Sequence, residues 1–112
     1  MRIIIDLYQG SLHYTYFVCT IRRMAIVFDP VKNRRNIRDY QIDLTDVDGV
    51  FFDPFALTRE DRDHDEARFV TMGMDGFGRL LVVVYVHRGE DIRAISARRA
   101  EPHERRLYEE GQ

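Results

Sequence analysis

The segment Leu80–Val86, LLVVVYV, constrains the fold more than any other part of the chain. A continuous apolar run of this length, β-branched and closed by turn signals, reads as a central strand covered on both faces. Asp75-Gly76-Phe77-Gly78 precedes it, and His87 to Glu90, containing Gly89, follows it. Short turns of this kind join antiparallel neighbours, so Arg68–Met74 and Ile92–Ala97 are expected on either side. Within Ile92–Ala97, Ile92 and Arg93 must point to opposite faces, because successive strand residues alternate. Phe55–Arg59 is a fourth strand candidate, separated from the others by the acidic loop Glu60–Glu66.

Helix signals lie on both sides of this block. Asp29-Pro30 combines a side chain that accepts an orphan N–H with a residue that lacks one, which predicts a helix over 30–40. Val31 and Ile37 are its few apolar residues, and its exposed face carries Lys32, Arg34, Arg35 and Arg38. Asp43 reads as a second N-cap, with Leu44, Val47, Val50 and Phe51 at helical spacing before Asp53-Pro54. Glu101-Pro102 opens a last helix, with Leu107 and Tyr108 inward and an end near Gly111. Residues 2–8 and 12–21, joined by Gln9-Gly10-Ser11, read as an N-terminal hairpin. The expected class is α+β: an antiparallel sheet of about four strands with helices packed on one face.

At 112 residues there is room for one domain and no second core. No apolar run approaches the roughly 18 residues of a membrane span. Met1 to Met24 is broken by Asp6, Gln9, Gly10 and His13 and lacks a signal-peptide core. A single cysteine, Cys19, excludes an intrachain disulfide, and a reduced cytoplasmic setting is expected.

The net charge of −2 hides segregation. Arg22 to Arg38 holds six cations against Asp29; Asp39 to Glu66 holds ten acids against Arg59 and Arg62. Arg88 to Arg106 is arginine-rich again, and 16 of the 17 basic residues are arginine. A planar guanidinium suits bidentate contact with phosphate or carboxylate, so a basic face fits RNA, DNA or an acidic partner.

Most motif tests are negative. The histidines His13, His64, His87 and His103 form no HxH or HExxH arrangement. The acidic loop around His64 lacks the glycine and terminal glutamate of a calcium loop. Gly73, Gly76 and Gly78 precede a strand and make a hairpin turn, not a dinucleotide site. No metal or cofactor is expected. What remains is Arg68, Arg79, Arg93, Arg98 and Arg99 at strand and helix positions, either a polyanion site or a set of local ion pairs. The pairs would be Arg68 with Glu66, Arg93 with Asp91 and Arg98 with Glu101, each worth about 0–1 kcal/mol.

The runs FDPVKNRRNIRDYQID, GVFFDP and DHDEARFVTMGMDGFGRLLVVVYVHRGEDIRAISARRAEPHERRLYEEG resemble the BrnT family. Its pattern is similar to WDPxK…N…KHG, an FxDP-like turn, EERFxxxG, GRxLxVxY and RxISARxA followed by ER…YE. The likeness runs from about Ala25 to the C-terminus, and residues 24–112 form the BrnT-like domain. Phe28 stands for the tryptophan, and Asp39-Tyr40-Gln41 stands for Lys-His-Gly, removing a basic residue and an imidazole. Residues 1–23 precede the family's usual start, and translation is expected to begin at Met24.

The resemblance implies a RelE/ParE-like fold and a cytoplasmic ribonuclease toxin of a type II toxin–antitoxin module, inhibiting translation by metal-independent RNA cleavage. It implies an adjacent DNA-binding, BrnA-like antitoxin as partner in a hetero-oligomer. Carried over by position, Lys32, Arg68, Arg93 and Arg98 would stabilise the phosphorane. Glu66 would accept a proton or orient Arg68. Arg79, Arg99, His87 and Tyr108 would bind substrate. The alternative is a degenerate toxin kept as a co-repressor subunit; a structural domain without a nucleic-acid role is a third reading.

Overall fold

The computed structural model describes residues 25–62 and 65–111. The expected hairpin at 2–21, the boundary at Met24, and His64 lie outside the described residues. The elements run β1 (Ile26–Val27), α1 (Pro30–Tyr40), two 3₁₀ turns (Leu44–Asp46 and Asp48–Phe52), β2 (Leu57–Asp61), β3 (Arg68–Met74), β4 (Leu80–Arg88), β5 (Asp91–Arg99) and α2 (Pro102–Glu110).

Five strands form one sheet in the order β1-β5-β4-β3-β2. β2 to β5 are antiparallel neighbours, but β1 runs parallel to β5, with Ile26 opposite Ile92 and Val27 opposite Arg93. The sheet is therefore mixed, not purely antiparallel. A two-residue strand has no period to detect, and tertiary contact alone gives it a direction. α1 then lies against β5, beyond the short β1.

The side chains of α1 that turn inward are polar. Asn33 and Asn36 are buried, whereas Val31 and Ile37 stay 47% and 41% exposed. Asn36 Nδ2 donates to the carbonyls of Ile42 and Ala97 (2.8 Å each), and its Oδ1 accepts the Ala97 N–H at 3.0 Å. One amide thus replaces a neighbouring strand where β1 no longer covers the β5 edge, pairing groups that would otherwise be exposed. Asn33 accepts the Leu44 N–H and donates to Asp43, fixing the chain as it leaves the helix.

The span 43–52, expected as a helix, folds as two 3₁₀ turns. Asp43 caps the first as expected, accepting the Thr45 N–H. Leu44, Val47, Val50 and Phe51 pack with Ile42, Leu81, Val83, Tyr85 and Ala97 into the main core on one face. On the opposite face Tyr108 packs with Met72, Leu80 and Val82. Helices therefore cover both faces, not one, as the apolar run of β4 requires. Leu107, expected inward, is 55% exposed.

Candidate functional site

The two layers differ in reach. The nine residues of α2 span about 14 Å at helical rise, against about 30 Å for the nine of β4. α2 covers the Leu80–Val82 end of its face and does not extend over Val84–Arg88, where Val86 is buried without it. The register places Val70, Val84, Val86, Arg68, Arg93 and Arg98 on this face, with a bulge in β5 beside Val84 and Tyr85.

Two adjoining concavities of about 500 Å³ each lie on this face, one beside α2 and one beyond it, sharing Arg68 and Ile95. The first is a basic pocket lined by Lys32, Arg68, Arg88 and Arg93 with Asp65 and Glu66. Among the described residues, its four cations outnumber its two carboxylates. The Arg88 guanidinium donates from both terminal nitrogens to Glu66. This hydrogen bond, with the charges of Arg88, Arg68 and Arg93, holds the Glu66 carboxyl below its ordinary range. Among the described residues, no carboxylate is in ion-pair contact with Lys32, Arg68 or Arg93.

The second concavity is a groove with an aliphatic floor, including Val70, Met72, Val82 and Val84, and with Tyr40, Leu57 and Leu107 along it. Arg98 lines it, with its donors engaged. Nη1 and Nη2 meet Glu104 Oε1 and Oε2 at 2.8 and 2.9 Å. Arg98 and the Glu101 N–H bring Glu104 down to about 2.

The expected local pairs are thus replaced. Glu66 takes Arg88, Asp91 accepts the Ala25 N–H, and Arg98 takes Glu104. Of the anticipated site residues, Lys32, Arg68, Arg93 and Glu66 come together in one pocket, and Arg98 adjoins it. The rest lie elsewhere. Arg79 sits at the far end of β4, its Nε 2.7 Å from Asp75 Oδ2 and its guanidinium 5.2 Å above the Phe77 ring. Arg99 is opposite Leu81, on the core-facing side. His87 faces that side too, 4.8 Å from Phe69 and 5.6 Å from Tyr85 between ring centroids. Tyr108 is buried and donates to Asp53 Oδ2 at 2.6 Å. Asp53 also accepts the Met74 and Phe55 N–H groups, and these bonds outweigh burial in lowering its carboxyl.

Arg88 was missed. It stands at the strand end before a turn, where a cation reads as a solvated surface residue, and only the fold brings Glu66 to it across 22 residues. Glu101, His103 and Glu104 have ligand atoms within 4.8 Å of one another. Glu104 is already committed to Arg98, which weakens that trio as a cation site. No described helix is long and apolar enough to cross a membrane.

The family described as "Ribonuclease toxin, BrnT, of type II toxin-antitoxin system" matches residues 28–104. The crystal structure of the Brucella abortus ribonuclease toxin, BrnT, superposes with a TM-score of 0.55 at 20% identity, covering 70% of this chain and 97% of that one. At that identity the likeness concerns the fold. Among curated proteins no sequence matches.

Proposed function

The chain belongs to the BrnT family of ribonuclease toxins of type II toxin–antitoxin systems, and on that premise we propose that the basic pocket is where an RNA phosphodiester is bound and cleaved without a metal. The observation that carries this reading is the convergence of Lys32, Arg68 and Arg93, from α1, β3 and β5, on one pocket in which, among the described residues, none of these three is ion-paired with a carboxylate. Holding like charges together is costly unless an anion is bound there.

In the proposed reaction the ribose 2′-oxygen attacks the adjacent phosphorus and loses its proton. The bond from phosphorus to the 5′-oxygen breaks, and that oxygen takes up a proton. The products are a 2′,3′-cyclic phosphate and a 5′-hydroxyl. The pentacoordinate phosphorane gains negative charge, and fixed guanidinium groups stabilise it more than the ground state. Glu66, held low by Arg88, is a weak base at neutral pH; it serves as a positioning residue for Arg88. The fold would be RelE-like, and a BrnA-like DNA-binding antitoxin encoded next to the toxin would be its partner.

The co-repressor reading keeps one supporting observation. Tyr40 stands where the family pattern has histidine, and it lines the groove, so an imidazole proton carrier is missing there. Incubating purified protein with naked RNA and excess EDTA tests the proposal. Cyclic-phosphate ends support it; intact RNA, or cleavage only with added metal, contradicts it.

A further inference from the structure

We propose that the aliphatic groove beside the basic pocket is a nucleobase subsite, which takes an unpaired base next to the phosphate and uses the flat face of Arg98 as its stacking surface. This rests on the reading of the basic pocket as the phosphate site. The terminal donors of Arg98 point at Glu104. Both terminal nitrogens are engaged by Glu104, in a fork that uses both carboxylate oxygens. A guanidinium so occupied has lost its bidentate edge for phosphate, but its planar face remains available. Its side chain is 36% exposed, in a groove with Tyr40 on its wall and Val82, Val84 and Met72 on its floor.

Bases displaced from a stack are bound by such surfaces, namely guanidinium planes, aromatic rings and apolar side chains. Size and position agree. About 500 Å³ accommodates a nucleoside, and the compartment shares Arg68 and Ile95 with the basic pocket. A ribose over those two residues would connect a phosphate on one side to a base on the other. The occupant is a base of the bound strand, not a protein segment, because the groove continues directly into the phosphate pocket through Arg68 and Ile95, and the Arg98 edge within it is already engaged by Glu104. Single-stranded RNA is then the substrate class, since a base in a duplex cannot enter.

Methyl NMR on the intact chain, titrated with inorganic phosphate, ribose 5-phosphate, adenosine and the four nucleoside 3′-monophosphates, tests this. At least one nucleotide should bind about tenfold more tightly than ribose 5-phosphate and shift the methyls of Met72, Val82 and Val84, which inorganic phosphate leaves in place. Arg98→Lys, which keeps the charge and loses the plane, should bring that nucleotide to the affinity of ribose 5-phosphate while phosphate affinity stays unchanged. Nucleotides that bind no better than ribose 5-phosphate and leave those methyls unmoved overturn the subsite and leave the groove to a protein segment. Adenosine shifting the methyls while phosphate fails to bind would uphold the subsite and refute the phosphate pocket.

Discussion

Arg98 and Glu104 meet fork to fork, joining β5 to the first turn of α2 across six residues. Glu104 also accepts the Glu101 N–H at 2.8 Å, so one carboxylate caps the helix and engages both terminal nitrogens of the guanidinium. Because its folded value of about 2 lies below the ordinary 4.5, its contribution is present above pH 4.5 and lost as pH falls toward 2. Glu104→Gln should destabilise the protein by about 1 kcal/mol at neutral pH, a modest figure because Arg98 is one-third exposed. Urea denaturation at several pH values checks this: the gap between variant and parent should close on acidification, and a pH-independent gap would contradict it.

Asn36 tests how the β5 edge is protected. Replacing it with alanine removes three hydrogen bonds and leaves the Ala97 N–H and C=O unpaired in a buried place. The expected loss is about 2–4 kcal/mol. Asn36→Leu, similar in size, should not restore it. Urea midpoints should fall with unchanged slope; a leucine variant as stable as the parent would show that apolar packing suffices.

Gln41 ends α1 in the left-handed region, at φ 58° and ψ 32°, where the family pattern has glycine. A side chain with a Cβ is strained there. Gln41→Gly should therefore stabilise the protein by about 0.5–1 kcal/mol, less whatever the 3.2 Å bond from Gln41 Nε2 to the Arg38 carbonyl contributes. Thermal unfolding reads the sign, and a lower midpoint would contradict the assignment.

Binding to a deoxy analogue, which lacks the attacking hydroxyl, measures phosphate contacts separately from cleavage. If the cluster of Lys32, Arg68 and Arg93 neutralises the scissile phosphate together with the phosphates flanking it, three in all, log affinity should fall with log salt with a slope of about −2. Arg68→Ala should reduce that slope by about 0.7. Fluorescence anisotropy over a salt series gives both numbers, and an unchanged slope would remove Arg68 from the contact.

What was legible in the sequence is local. Asp29 and Pro30 carry their own mechanism, and the helix starts where they place it. β3 begins and ends as expected, because Gly76 and Gly78 close it with a turn whose geometry is set within a few residues. The misreadings are relationships between distant segments. The direction of β1 depends on β5, some 66 residues away. The inward face of α1 is set by backbone groups that Asn36 must satisfy, which overrides the apolar claim of Val31 and Ile37. At the candidate site the arginines of the pocket were named from resemblance and residue type, while the partners of Arg88 and Arg98 were not, because ion pairing follows the fold and not adjacency.

The most direct measurement is the single-turnover cleavage rate of a defined RNA in excess EDTA, for the parent, Arg93→Ala and the surface control Arg105→Ala, each shown folded by circular dichroism. The account predicts cyclic-phosphate products from the parent and the control, with a rate about 10²–10³-fold lower for Arg93→Ala. A folded Arg93→Ala protein that cleaves at the parental rate would contradict it.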